Sequence, residues 1–334
     1  MKKILGMGNA LTDILLQIND DNVIFNLNLL KGGMNLIDLI KLEEIRSHFD
    51  MLTSKKAAGG SASNTVNGIT RLGGQAGFVG KVGNDETGDF FRNDTINNGV
   101  APILSYSSNQ SGVCTVLVSK DGERTMCTFL GAAAELEVDD IKPEMFEGYD
   151  IFHIEGYLVQ NHDLIYNAVK HAKKAGLLVS IDMASYNVVE ANLDFLKKLV
   201  AEYVDIVFAN EDEARAFTGK EPEDALIKIA ENSYIAVVKV GKDGSYVMSD
   251  NIKHTIEPYV ADCIDTTGAG DLYAAGFLYG LSRDLPLDIC GKIGSYVSSQ
   301  VVEVIGAKMS EETWEKINSE VKMIIGDWSI VNSQ

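Results

Sequence analysis

The run Asp265-Thr266-Thr267-Gly268-Ala269-Gly270-Asp271 sets two glycines beside a carboxylate. Glycines carry no Cβ, so their backbone N–H groups can face open space. If the run follows a strand, turns sharply and opens a helix, those amides sit at a helix N-terminus, where the dipole favours negative charge. Such a cup suits phosphate oxygens, above all where charge develops during group transfer. Asp271 then falls in the first helical turn. Its carboxylate repels a bare phosphate. With a hydroxyl between them it can accept the hydroxyl proton as the oxygen attacks phosphorus. A capped helix after a tight turn uses the same residue types.

The neighbouring sequence supports a strand–turn–helix unit. Residues 259–264 read as a strand leading into the loop, and residues 272–281 are small and apolar enough for a buried helix. Near the N-terminus, residues 3–7 read as a first strand that runs into Gly8-Asn9-Ala10-Leu11-Thr12-Asp13. Polar groups just past such a strand lie where open α/β sheets bind ligands. Asn9 and Asp13 there suit sugar hydroxyls, or the capping of a loop. Further on, Gly59 and Gly60 precede Ser61 and an apolar-periodic run (Val66, Ile69, Leu72), so a tight loop opens a helix with Asn64 in its first turn.

Residues 14–36 alternate loosely and read as short strands outside the main sheet. Residues 103–130 alternate again, with Asp121-Gly122 between two runs as a hairpin signal. From residue 150, strands at 150–154, 177–181, 205–208 and 234–239 alternate with helical stretches that include 162–175 and 188–202. That rhythm is a doubly wound parallel sheet with right-handed crossovers. Asn210-Glu211-Asp212-Glu213 follows the third of these strands, and carboxylates there suit a metal that keeps its water shell or the first turn of a helix. Lys239-Val240-Gly241-Lys242-Asp243-Gly244 ends the next strand in a turn.

The string at 265–271 resembles the C-terminal signature of the PfkB carbohydrate kinases, the ribokinase-like family that includes adenosine kinase. Residues 57–64 resemble its N-terminal signature, and Gly73-Gly74, 79–83 and Asp85-x-x-Gly88 follow in the family's order. The resemblance covers nearly the whole chain. It implies a ribokinase-like α/β fold with a doubly wound, mainly parallel sheet. It implies one domain over 1–334, with a small β-sheet lid formed by about 14–36 and 103–130. A lid excludes water, so phosphate goes to the substrate hydroxyl.

The resemblance also implies roles. Asp271 is the catalytic base, and the amides of Gly268, Ala269 and Gly270 form the anion hole. Asn9, Asp13, Gly59, Gly60 and Asn64 hold the acceptor, and Arg124 approaches the transferring phosphate. Arg124 also suits a solvated turn. Asn210 and Glu213 match an Asn-x-x-Glu motif that orders Mg²⁺ through water. Gly241 and Gly244 match a turn over the nucleotide phosphates, with Thr267 nearby. Lys239 stands in a slot often filled by Thr. Asp265, Thr267 and Gly306-Ala307-Lys308-Met309-Ser310 resemble a monovalent-cation loop for K⁺. A helix C-cap at Gly306 followed by an N-cap at Ser310 explains the last segment equally well.

Composition bounds the rest. The chain has 334 residues, 46% apolar, with formal charge −19 from 48 acidic and 29 basic residues. That argues against a nucleic-acid or anionic-membrane partner. Four scattered cysteines (Cys114, Cys127, Cys263 and Cys290) with no Cys-x-x-Cys read as reduced thiols in a cytoplasm. The apolar run after Met1-Lys2-Lys3 is broken by Asn9 and Asp13, and no cleavage signal follows.

The expected activity is ATP-dependent phosphorylation of a hydroxymethyl group, with Mg²⁺. Residues 6–13 and 33–38 look more like adenosine kinases than ribokinases, which favours a nucleoside. A sugar kinase of ribokinase or fructokinase type is the alternative, and a catalytically silent kinase-like binding protein is the alternative of another class. The first strand lacks Gly-x-Gly-x-x-Gly, which argues against a Rossmann dehydrogenase. A lid sheet is compatible with a monomer or a homodimer.

Overall fold

The computed structural model describes residues 1–49, 55–120 and 123–331. The strands in chain order are β1 (Lys3–Met7), β2 (Leu11–Gln17), β3 (Met34–Leu36), β4 (Lys55–Gly59), β5 (Gln75–Gly83), β6 (Ala101–Ser107), β7 (Gly112–Val118), β8 (Arg124–Phe129), β9 (Ile151–Glu155), β10 (Leu178–Asp182), β11 (Ile206–Asn210), β12 (Ile235–Lys239), β13 (Ser245–Ser249) and β14 (Ile252–Ile256). The helices are α1 (Asn22–Asn26), α2 (Leu39–Phe49), α3 (Ser61–Arg71), α4 (Glu86–Asn97), α5 (His162–Lys174), α6 (Tyr186–Ala191), α7 (Leu193–Tyr203), α8 (Glu211–Thr218), α9 (Pro222–Ala230), α10 (Ala269–Ser282), α11 (Leu287–Val301) and α12 (Glu311–Val331).

Nine strands form the main sheet in the order β14-β13-β12-β11-β10-β9-β1-β5-β6. From β12 to β6 every pairing is parallel, and β13 and β14 close one edge antiparallel. The parallel strands are buried on both faces and read as nearly continuous apolar runs, as helix-covered strands must. One core lies between the sheet and α3, α10 and α11; the other lies on the opposite face under α5, α7 and α9. The chain winds to one side of β1 first (β5, β6) and to the other side later (β9 onward). The order therefore reverses between β1 and β9, and at such a reversal the strand ends splay into a ligand crevice.

The second sheet runs β3-β8-β7-β2-β4. One face packs on α1 and α2 through Leu16, Ile24, Leu27, Ile45 and Leu117. The other face carries two side-chain rows, Met34–Met126–Val116–Leu15 and Leu36–Thr128–Cys114–Asp13–Ala57, set by the strand register.

The α/β rhythm is as expected, with four differences. Residues 259–264 form no strand. The β13–β14 hairpin already closes that sheet edge, and the apolar Val260 and Ile264 are exposed. Residues 103–107 belong to the main sheet beside β5, so the second sheet takes only 112–129 of the expected 103–130. Residues 22–26 are helical, and β4, unexpected as a strand, supplies the outer edge of the second sheet. The stretch 188–202 is two helices divided at Asn192. The Asp121-Gly122 turn lies outside the described residues. No helix among the described residues is long and apolar enough to cross a membrane.

Helix α10 is buried almost all round and packs on α11 at close range. A Cβ at Gly276 would stand 2.8 Å from Gly294 Cα, and one at Gly280 would stand 3.0 Å from Cys290 Cα. The backbone contact fixes the height of α10, hence of its first turn, which carries Asp271. Gly276→Ala should therefore cost about 1–3 kcal/mol of stability through overpacking, read as a lower midpoint in thermal unfolding. An unchanged midpoint would mean that α11 can yield at no cost.

Candidate active site

Most of the residues singled out, Gly59, Arg124 and Asp265 excepted, line one cleft of about 1290 Å³. Its floor is the loop 265–271. Gly268 precedes α10 with φ 78°, and a Cβ there would lie 2.6 Å from Ala307 Cβ, so only glycine fits on both counts. The Ala269 amide closes the turn onto the Thr266 carbonyl at 3.1 Å. Among the three expected anion-hole amides it is therefore already engaged, which leaves those of Gly268 and Gly270 as the candidate donors.

Asp265 staples this loop. Its Oδ1 accepts from the Thr267 amide (3.0 Å) and hydroxyl (2.9 Å), and its Oδ2 accepts from the Gly306 amide (2.9 Å). Arg124 reaches Asp265 Oδ2 from β8 at 2.5 Å and donates to the Thr267 hydroxyl at 3.2 Å. Arg124 is thus a buried member of the site and not a solvated turn residue. Asp265 and Thr267 act first as the framework of the loop.

Asp271 sits where the first turns of α10 and α3 face each other. The Ser61 hydroxyl donates to its Oδ1 at 2.7 Å, and Asn64 Nδ2 donates to its Oδ2 at 3.0 Å. Burial pushes the carboxyl up to about 6, against the pull of these two donors. It is ionised at neutral pH yet basic enough to take a proton, the range in which a general base works best. Asn64, expected on the acceptor, directs its amide to the base, and its Oδ1 is buried without a partner.

The acceptor end is built from β1, β2, β4 and β9. Gly60, with φ 93°, brings α3 so close that a Cβ would lie 2.1 Å from the Asn9 carbonyl oxygen. Gly59 lies under the Asp13 carboxylate, which would stand within 2.5 Å of any Cβ there. Asn9 Nδ2 donates to Glu155 Oε1 at 2.5 Å, and the Ala62 amide donates to Glu155 Oε2 at 3.1 Å. Burial raises Asp13 and Glu155 to about 7 each. Lys308 draws Asp13 back down, and the donors from Ala62 and Asn9 draw Glu155 back down.

Across the floor, Lys239 pairs with Asp182 at 2.9 Å, and a Cβ on Gly270 would stand 3.0 Å from its ammonium. The cation therefore lies against the anion loop. Burial pushes Asp182 up, but Lys239 outweighs it and the net direction is down. Asn210 and Glu213 close a capping box on each other at the start of α8. Glu213 is buried and raised, by burial first and by Asp182 next. Gly241 and Gly244 shape the β12–β13 hairpin, and a Cβ at Gly244 would meet the Ile256 carbonyl oxygen. No cluster of three His, Cys, Asp or Glu able to hold a metal occurs among the described residues.

Four members escaped the sequence reading. Glu155 and Asp182 each end an apolar strand, and an acid at that position is the available signal. Ser61 looked like a helix cap and is a ligand of the base. Lys308 left no signal: its ammonium is buried without a partner, and burial lowers it to about 8 against the attraction of Asp13, Asp94 and Asp271.

Residues 26–314 match the model of the pfkB family carbohydrate kinases. The solved structure of the adenosine kinase from Sinorhizobium meliloti superposes with a TM-score of 0.85 at 31% identity, covering 96% of this chain and 99% of that one. "Adenosine kinase 2" of Arabidopsis thaliana is 29% identical over 339 residues, 92% of this chain and 96% of its own length. A "5-dehydro-2-deoxygluconokinase" of Geobacillus kaustophilus is 28% identical over 297 residues, 83% of this chain and 88% of its own. The α/β fold is ribokinase-like, as these likenesses bear out.

The buried carboxylate of Asp271 carries a stability cost. Its folded pKa lies above the unfolded value, so the folded chain keeps this proton longer. The cost is absent below about pH 4 and grows as pH rises through about 6. Asp271→Asn removes it, and Asn64 can turn its free Oδ1 to the new amide. The variant should unfold at a higher temperature than the parent at pH 8, by on the order of 1–2 kcal/mol, with the gap closing toward pH 4. A variant no more stable at pH 8 would contradict the assignment.

Proposed function

The chain belongs to the pfkB family of carbohydrate kinases and is a phosphotransferase acting on a sugar or nucleoside, and from that premise we propose that it phosphorylates the hydroxymethyl group of a nucleoside such as adenosine with ATP. The observation that carries the proposal is the position of Asp271, whose carboxylate shares one cleft with the anion loop on one side and with Asn9 and Asp13 on the other. With the sugar hydroxyls gripped by Asp13, the hydroxymethyl oxygen of the acceptor would lie between Asp271 and the γ-phosphate. As that oxygen bonds to the γ-phosphorus, its proton passes to Asp271, the bond to the bridging oxygen breaks, and ADP leaves. The amides of Gly268 and Gly270 and the Lys239 ammonium receive the charge of the transferring group.

Mg²⁺ fits the donor set as a hydrated ion. Asn210 and Glu213 would hold the water shell of an ion bound chiefly by phosphates and water. When bound, it neutralises phosphate charge.

The second sheet supports a nucleoside over a free sugar. Met34 and Leu36 are 55% and 71% exposed at its edge, and with Val116 and Met126 they line the cleft beside Asp13. An apolar wall of this extent over a polar floor suits a flat base stacked beyond a ribose. A bare sugar would leave it wet. The sheet would act as the lid, in a monomer or in a homodimer paired through it.

Incubation with Mg-ATP and a panel of adenosine, inosine, ribose, fructose and 5-dehydro-2-deoxygluconate should give ADP release with adenosine above all others. Turnover with a sugar only would keep the mechanism and overturn the nucleoside. Asp271→Asn should cut turnover by about 10²–10⁴-fold, and the parent rate should rise with pH through about 6. Asp13→Ala should weaken the acceptor by about 10–100-fold, the worth of a hydrogen bond to a charge, and ATP far less. Equal losses for both ligands, read by titration, would remove Asp13 from acceptor binding.

A further inference from the structure

The family resemblance implies a monovalent cation in the loop that Asp265 and Thr267 share with the segment 306–310, and the residues present do not fit one. Both carboxylate oxygens of Asp265 already have protein donors. Oδ1 takes the Thr267 amide and hydroxyl; Oδ2 takes the Gly306 amide and the Arg124 guanidinium. The Val302 carbonyl, at the end of α11 beside this loop, is likewise engaged, by the amides of Ile264 and Asp265 at 2.7 and 3.1 Å. The Arg124 and Asp265 side chains are only 7% and 9% exposed, so solvent screens them little. A K⁺ ion brought against Asp265 would meet a fixed positive charge a few ångströms away and little screened by solvent.

We propose that Arg124 is the resident cation of the anion loop: its guanidinium occupies the place a monovalent ion would take, and the chain phosphorylates its acceptor without K⁺. The consequence is structural as well as ionic. A K⁺ ion is a free particle, whereas Arg124 is fixed to β8, in register with Val118 of β7. The sheet that carries Asp13 and covers the acceptor thus also carries the charge that shapes the phosphate cup. Docking of that sheet and completion of the cup become one event. Arg124 Nε and Nη2 are buried without partners.

This inference rests on the kinase reading, so its test has an arm that needs no turnover. Thermal unfolding of the full chain is measured in KCl, NaCl and N-methylglucamine chloride at matched ionic strength, for the parent, Arg124→Met and Arg124→Lys. The parent and Arg124→Lys should melt alike in all three salts. Arg124→Met should melt lower in N-methylglucamine and recover part of the loss in K⁺. With an acceptor in hand, parent ADP release should not change with the cation. Arg124→Met should lose about 10²-fold, as for one donor of an anion hole, and regain part of it with K⁺. A parent whose melting or rate rises in K⁺ over both other salts would overturn the proposal, as would an Arg124→Met chain that folds and ignores K⁺. If that variant does not fold, the parent and Arg124→Lys decide, because a K⁺ response in either has the same force. Absence of turnover with every acceptor, with the melting pattern as expected, would defeat the kinase reading and leave the loop assignment standing.

Discussion

Seven carboxylates line one cleft, and the rest of the site is arranged around keeping five of them there, those of Asp13, Glu155, Asp182, Glu213 and Asp271. Like charges this close cannot all be ionised without compensation. The compensation comes from inside: Lys239 against Asp182, Lys308 near Asp13, and Arg124 on Asp265 at the rim. What is left over appears as raised proton affinity at Asp13, Glu155, Glu213 and Asp271. One consequence is chemical, since a base poised near neutrality is more useful than a strong acid's conjugate. The other is energetic, since the folded state would be more stable with fewer charges. The cleft is a strained arrangement maintained by the two cores on either side of the main sheet.

That maintenance is mechanical. Asp271 is placed by α10, and α10 is placed by glycines that let its backbone touch α11. Ser61 and Asn64 are placed by α3, whose entry through Gly60 leaves no room for a side chain. The two first turns face each other because their helices pack on the same face of the sheet, beside the switch between β1 and β9. No loop has to find its position unaided. The positive ends of two helices bracket the base, which favours its ionised form and offsets part of the desolvation.

Much of this was legible in the residues. The small apolar run after Asp271 could only be a buried helix, and the strand–helix rhythm after residue 150 gave the parallel sheet. The errors share a cause: local pattern reports burial, and burial has more than one source. Val260 and Ile264 read as strand residues from their apolar alternation, yet both are exposed once the β13–β14 hairpin has closed the sheet edge. Lys308 was read only as part of a cation loop or a pair of helix caps, because nothing local marks an ammonium enclosed by acids from β2, α4 and α10. The Arg124–Asp265 pair joins residues 141 positions apart by their numbering and leaves no periodic trace. Ser61 was visible only as a cap, since its partner lies 210 residues away.

The second sheet shows how such long-range placement is made secure. Along β2, Asp13 faces the cleft while Leu16 faces α1 and α2. A slip of one residue against β4 or β7 would turn Asp13 into the apolar side and expose that side's core to the cleft. The register is therefore fixed by the same apolar residues that have no part in chemistry. Gly59 adds a local lock, because its missing side chain is the only space the Asp13 carboxylate has. On β8 the alternation that sends Cys127 into the α1–α2 core sends Met126 and Thr128 to the cleft, and Arg124 lies on their parity. Arg124 beside the 265–271 loop, the Asp13 carboxylate and an apolar wall are thus three outputs of one strand register. Their relative positions are conserved in any motion that moves the sheet as a unit.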